Sequence, residues 1–308
     1  METLRQLRDN IEKAFMGKSE VVKMALVGLF AGGHLLIEDV PGVGKTLLAR
    51  ALARSVNSSF NRIQFTPDLL PSDIIGVSIY NNVQDRFVFK EGPVFKNVIL
   101  ADEINRATPR TQSSLLEAMN DFQVSVDGVT HPLPEPFMVI ATQNPFEFEG
   151  TYPLPESQMD RFLLCLRVGY PTRQDEMRIL DAQKVEDPLV HLEPVVSVTE
   201  VLHIQKEVRR VRMAPSLANY LMQIVGATRE TPRLAVGVSP RGTLFLRRAA
   251  QALALLEGRD FVIPDDIQSL AVPVFAHRVI LKDFAMGSLE GEAAEIIREI
   301  VESVPVPV

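Results

Sequence analysis

The chain has 308 residues, 46% of them apolar and 23% charged, enough to bury a sizeable core in one large domain or two ordinary ones. A net charge of −7 argues against a general nucleic-acid binder, because neutralising phosphates needs a basic surface. The single cysteine, Cys165, excludes an intrachain disulfide and fits a reducing compartment.

Residues 1–10 are mostly polar, with no apolar core of a secretory leader behind them, so a cytoplasmic location is expected. The longest apolar stretch, residues 21–37, is broken by Lys23, Gly32, Gly33 and His34 and is too short to span a bilayer. The apolar runs 34–38, 62–65, 97–101, 137–142 and 162–168 read as buried parallel strands. Amphipathic helices alternate with them, at 46–55 and at 110–120, the latter opened by Thr108 as cap and Pro109 in the first turn. The pattern predicts an α/β fold with a parallel sheet flanked by helices. Residues 76–95 and 122–137 interrupt it and read as β-hairpin insertions; Asp127-Gly128 between alternating residues is a strong hairpin turn. After Tyr170-Pro171 the periodicity turns helical, near 173–184, 198–210, 215–228, 239–257, 264–281 and 290–303. This predicts an α/β domain over 1–171 and an all-helical domain over 172–308.

The first predicted strand runs into Val40-Pro41-Gly42-Val43-Gly44-Lys45-Thr46. Gly42 and Gly44 let the backbone curl its N–H groups around an anion, and the following helix adds its positive end. Lys45 can reach the β- and γ-phosphates of a nucleotide, and the Thr46 hydroxyl can ligate Mg²⁺. The strict phosphate-loop pattern wants glycine at position 39, where this chain has Asp39; a charge there is expected at most to weaken nucleotide affinity. A second apolar strand ends in Asp102-Glu103. Asp102 can hold the Mg²⁺ sphere, and Glu103 can polarise a water towards the γ-phosphate. A third ends in Asn144, able to bond that water or the phosphate. Arg161 precedes a strand, and Arg241 stands in the first turn of a helix capped by Ser239, where the helix dipole disfavours a cation unless an anion is near.

Together these residues resemble the AAA+ superfamily and, within it, the MoxR family. The resemblance spans nearly the whole chain. It is carried by the phosphate loop, Ala101-Asp102-Glu103-Ile104-Asn105-Arg106-Ala107, Ala141-Thr142-Gln143-Asn144-Pro145, the run 153–162 ending in Met159-Asp160-Arg161-Phe162, and Ser239-Pro240-Arg241. It implies an AAA+ P-loop domain with a helical lid, binding and hydrolysing MgATP in a homo-oligomeric ring, expected to be a hexamer. In that frame Asn144 matches sensor 1, Arg241 sensor 2, and Arg161 the arginine finger that enters the neighbour's site, with Arg106 a second candidate. The two insertions resemble the helix-2 insert and the pre-sensor-1 hairpin. A role as a chaperone that remodels or matures client proteins, with a partner carrying a von Willebrand factor A domain, also follows from the resemblance alone. Two alternatives share the ATP site. A DNA-acting motor sits poorly with the acidic balance, and a non-catalytic nucleotide switch sits poorly with an intact Lys45, Asp102, Glu103 and Asn144. Residues 146–150 read as an ordinary surface loop first and as a substrate loop second.

Overall fold

The structure, a computed structural model, describes residues 2–145, 150–182, 188–282 and 289–307. Helices α1 (Glu2–Ala14) and α2 (Ser19–Phe30) precede the first strand. Strand β1 (Leu35–Glu38) leads through the phosphate loop into α3 (Lys45–Ser55), then β2 (Phe60–Gln64) and the short α4 (Pro71–Ile75). The first hairpin is β3 (Gly76–Asn81) with β4 (Arg86–Glu91), followed by β5 (Val98–Asp102) and α5 (Pro109–Asp121). The second is β6 (Gln123–Val126) with β7 (Val129–Pro132), followed by β8 (Met138–Gln143), α6 (Glu156–Met159) and β9 (Leu164–Leu166).

Five strands form one sheet in the order β2-β5-β8-β1-β9, parallel throughout. Successive side chains of a strand face opposite sides, and here each side has its own core. Leu35, Ile37, Val98, Leu100, Met138 and Ile140 pack with α1, α2, α3 and the C-terminal helices. Leu36, Ile99, Ala101, Val139 and Ala141 pack with α5 and the base of the hairpins. The three inner strands are buried on both faces, whereas β2 is an edge strand with only Ile63 buried. Parallel strands place all their carboxyl ends on one rim, where ligand crevices form. Among the described residues no helix is long and apolar enough to cross a membrane.

Past Pro171 the chain is mainly helical: α7 (Arg173–Ala182), α8 (Val198–Val208), α9 (Pro215–Glu230), α10 (Pro240–Leu256), α11 (Pro264–Phe275) and α12 (Leu289–Ser303). Ser197 and Glu200 cap α8 reciprocally, side chain to backbone in both directions. A two-stranded ladder, β10 (Leu234–Val236) with β11 (Ile280–Leu281), lies among these helices. The helix expected over 264–281 therefore stops at Phe275, tightens into a 3₁₀ turn over Ala276–Arg278 and pairs as β11. Pro273 inside α11 removes one backbone donor shortly before that end.

Candidate functional site

Three adjacent strands, β1, β5 and β8, deliver the predicted residues to one rim. A cavity of about 660 Å³ is lined there by Pro41, Gly42, Gly44, Lys45, Thr46, Asp102, Glu103 and Asn144, together with Leu47, Arg62 and Pro188. Gly44 caps α3 in the left-handed region (φ +92°) and Gly42 has φ +86°, conformations that bring the loop's N–H groups round to one side at no steric cost. Beside it lies a second cavity of about 160 Å³ that shares Gly42, Gly44, Leu47 and Pro188 with the first. Phe15, Val43, Pro171 and Ile179 make its remaining walls largely apolar. A polar chamber next to an apolar slot matches a phosphate chain joined to a flat base.

Lys45 Nζ donates to the carbonyl of Asp39 (2.7 Å). Burial lowers its proton affinity, while Asp102, Asp39 and Glu103 pull in the opposite direction. The carboxylates are held by Thr142, a motif residue with no role assigned to it from the sequence, and by two residues of β2 that no motif marked. Thr142, fully buried on β8, donates from Oγ1 to Asp102 Oδ1 (2.6 Å) and accepts the Glu103 N–H (2.9 Å). Parallel pairing sets Gln64 of β2 beside Asp102. From there Gln64 Nε2 reaches Glu103 Oε2 (2.9 Å), and Arg62 grips Asp102 Oδ2 through Nε (3.0 Å) and Nη2 (2.6 Å). Glu103 has φ +56°, sparsely populated for a side-chain-bearing residue.

The donor set suits a triphosphate carrying a hard divalent cation. The phosphate loop and Lys45 line the cavity as donors for an anion, and the Thr46 hydroxyl and Asp102 carboxylate offer the oxygen ligands that Mg²⁺ prefers. Arg62 must yield Asp102 Oδ2 for that carboxylate to take a cation.

The arginines fall elsewhere. Arg161, expected to reach into a neighbour, is turned inward: its Nη1 donates to the Leu116 carbonyl of α5. Arg106 lies on its own chain's Glu103 (Nη1 to Oε2, 3.1 Å) with its side chain 46% exposed. Arg241 does not line the cavity; it sits 3.9 Å from Asp160 and donates to Asn120 (3.2 Å), so its counter-charge within this chain is the Asp160 carboxylate. The possible substrate loop falls, over 146–149, outside the described residues.

Residues 34–164 match the ATPase family associated with various cellular activities, and residues 226–300 match the AAA lid domain. The Bacillus subtilis protein YeaC is 52% identical over 301 residues, covering 97% of this chain and 93% of its own. Chaperone MoxR1 of Mycobacterium tuberculosis is 41% identical over 316 residues, covering 100% and 83% respectively. The crystal structure of a candidate ATPase from Cytophaga hutchinsonii superposes with a TM-score of 0.91 at 39% identity, covering 100% of this chain and 96% of that one. With the phosphate loop, the paired carboxylates and the lid in these positions, the chain belongs to the MoxR family of AAA+ ATPases.

Proposed function

We propose that this chain binds MgATP and hydrolyses it, as a ring-forming chaperone ATPase in the cytoplasm. The observation that carries the reading is the single cavity in which Lys45 and Thr46 meet Asp102, Glu103 and Asn144. In it, the loop amides and Lys45 bind the phosphates, and Thr46 and Asp102 would hold Mg²⁺. Held there, the cation would supply charge neutralisation at the terminal phosphate. Glu103 orients the attacking water and takes its proton at a carboxylate oxygen. Asn144 fixes the water or the phosphate oxygen. Thr142 keeps Asp102 and the Glu103 backbone in register throughout.

Hydrolysis is assigned to a homo-oligomer, expected to be hexameric, in which a neighbour supplies an arginine. Arg106 supports this through a side chain that is 46% exposed, and Arg161 can serve only after leaving the Leu116 carbonyl. The chaperone role rests on family likeness and on the name borne by the Mycobacterium relative, whereas the protein clients and a von Willebrand factor A partner rest on family likeness alone.

The test is a pair of variants. Lys45→Ala should lose nucleotide binding. Glu103→Gln should keep binding but hydrolyse ATP about 10²–10⁴-fold more slowly, the usual worth of a positioned base. Equal turnover by Glu103→Gln and the parent would remove the hydrolytic assignment. The parent's activity per chain should also fall on dilution below the assembly threshold.

A further inference from the structure

Asp39 occupies the place where the phosphate-loop pattern has glycine, and the residue is 8% exposed. It is not an idle substitution. Oδ1 accepts the N–H of Val40 in the loop itself (2.8 Å). Oδ2 accepts the N–H groups of Val168 (2.7 Å) and Gly169 (2.6 Å), directly after β9. That second pair opens the segment leading to α7. Gly169 stands at φ +64°, and the Tyr170 carbonyl is held by Lys18 (2.7 Å). On the site side, the Asp39 carbonyl is the resting partner of Lys45 Nζ. One residue therefore touches the phosphate-seeking lysine with its backbone and the exit of the α/β domain with its side chain. The apolar cavity spans the same seam, with Gly42 and Gly44 on one wall and Gly169 and Pro171 on the other.

We propose that Asp39 is a positioning residue that ties the phosphate loop to residues 168–169, so that filling the nucleotide site is transmitted to the segment entering the lid. The inference rests on the nucleotide-binding reading above and adds a route out of the site. Lys45 Nζ has three protons, so it can hold the Asp39 carbonyl while it reaches for phosphate oxygens. Drawn towards the phosphates, it pulls on the Asp39 peptide, and the carboxylate carries that shift to the Val168 and Gly169 amides. A carboxylate that only filled space, or only repelled phosphate, would not link the two events.

The experiment measures hydrogen exchange at the Val168 and Gly169 amides, with and without ADP, alongside binding of a fluorescent ADP analogue. In the parent, ADP should change exchange there at least about twofold, the low end of what one net hydrogen bond is worth. Asp39→Gly restores the pattern glycine and should keep nucleotide binding. Its two amides should exchange about tenfold faster without nucleotide, the worth of a bond to a charged group, and should no longer respond to ADP. Asp39→Asn, with one acceptor oxygen left, should lie between and serves if the glycine variant folds poorly. An Asp39→Gly protein that binds ADP and responds as the parent does overturns the inference. So does one that folds but cannot bind, because Asp39 would then build the site rather than connect it. A parent that fails to bind the analogue at all sinks the nucleotide reading instead.

Discussion

His34, just ahead of β1, is buried between the sheet and α5. Its Nδ1 accepts the Val139 N–H (3.0 Å), so Nε2 carries the proton and donates to the Met119 carbonyl (2.9 Å). Burial pushes its pKa down from 6.5 to about 4, outweighing the carbonyl's opposite pull. In the unfolded chain the ring protonates below about pH 6.5, and in the native chain only near 4. Its contribution is therefore complete above 6.5 and is lost as pH falls through that window, by about 3 kcal/mol in all. Urea midpoints followed from pH 7 to 4.5 should fall, and His34→Gln should flatten the slope; an unchanged slope would contradict the assignment. At this scale the motif residues were legible because phosphate chemistry fixes both residue type and spacing, as with Gly44, Lys45 and Thr46. Arg62 and Gln64 were not. They reach Asp102 and Glu103 through the register of β2 on β5, which no local pattern encodes. Asp39 was visible as an anomaly, but its partners lie near residue 168, far along the chain.

The hairpins show what an element can announce. Asp127 and Gly128 both have positive φ, +51° and +78°, the turn that an Asp-Gly pair favours between antiparallel strands. The other hairpin depends on its root. A Cβ on Gly76, at φ +101°, would sit 2.3 Å from the Lys90 carbonyl and 2.7 Å from the Gly92 nitrogen. Gly76→Ala should therefore cost more than about 2 kcal/mol by urea denaturation. Val83→Ser at the tip, where the side chain is 95% exposed, should stay within about 0.5 kcal/mol. Three elements gave weaker signals. Helix α2 is so deeply enclosed, from Val21 to Phe30, that it lacks a polar face and shows only as an apolar run. Strands β10 and β11 exist because each finds the other across intervening helices, and β11 is only two residues long.

For the whole molecule, the α/β part and the lid meet at Asp160. Its Oδ1 accepts from Ser239 Oγ, the cap of α10 (2.9 Å), and from Arg278 Nε (3.1 Å). Arg278 has a side chain only 1% exposed and stacks over Phe245. Burial lowers its pKa to about 10, with Asp160 resisting. Asp160→Ala would strand that guanidinium without its counter-charge and should cost about 3–5 kcal/mol. Asp260→Ala, which breaks a pair whose side chains are 74% and 77% exposed, should cost less than about 1 kcal/mol. Equal thermal shifts for the two would remove Asp160 as the joint.

Phe15, at the end of the first helical hairpin's opening arm, presses its ring to 3.0 Å from where a methyl group on Gly44 would lie. It also walls the apolar slot beside the loop. The region matched by the ATPase family begins only at residue 34. A protein trimmed to that start would keep every signature residue yet leave its apolar slot open to water and its loop unbraced. The smallest competent unit is thus larger than the recognisable one, and its missing margin lies upstream.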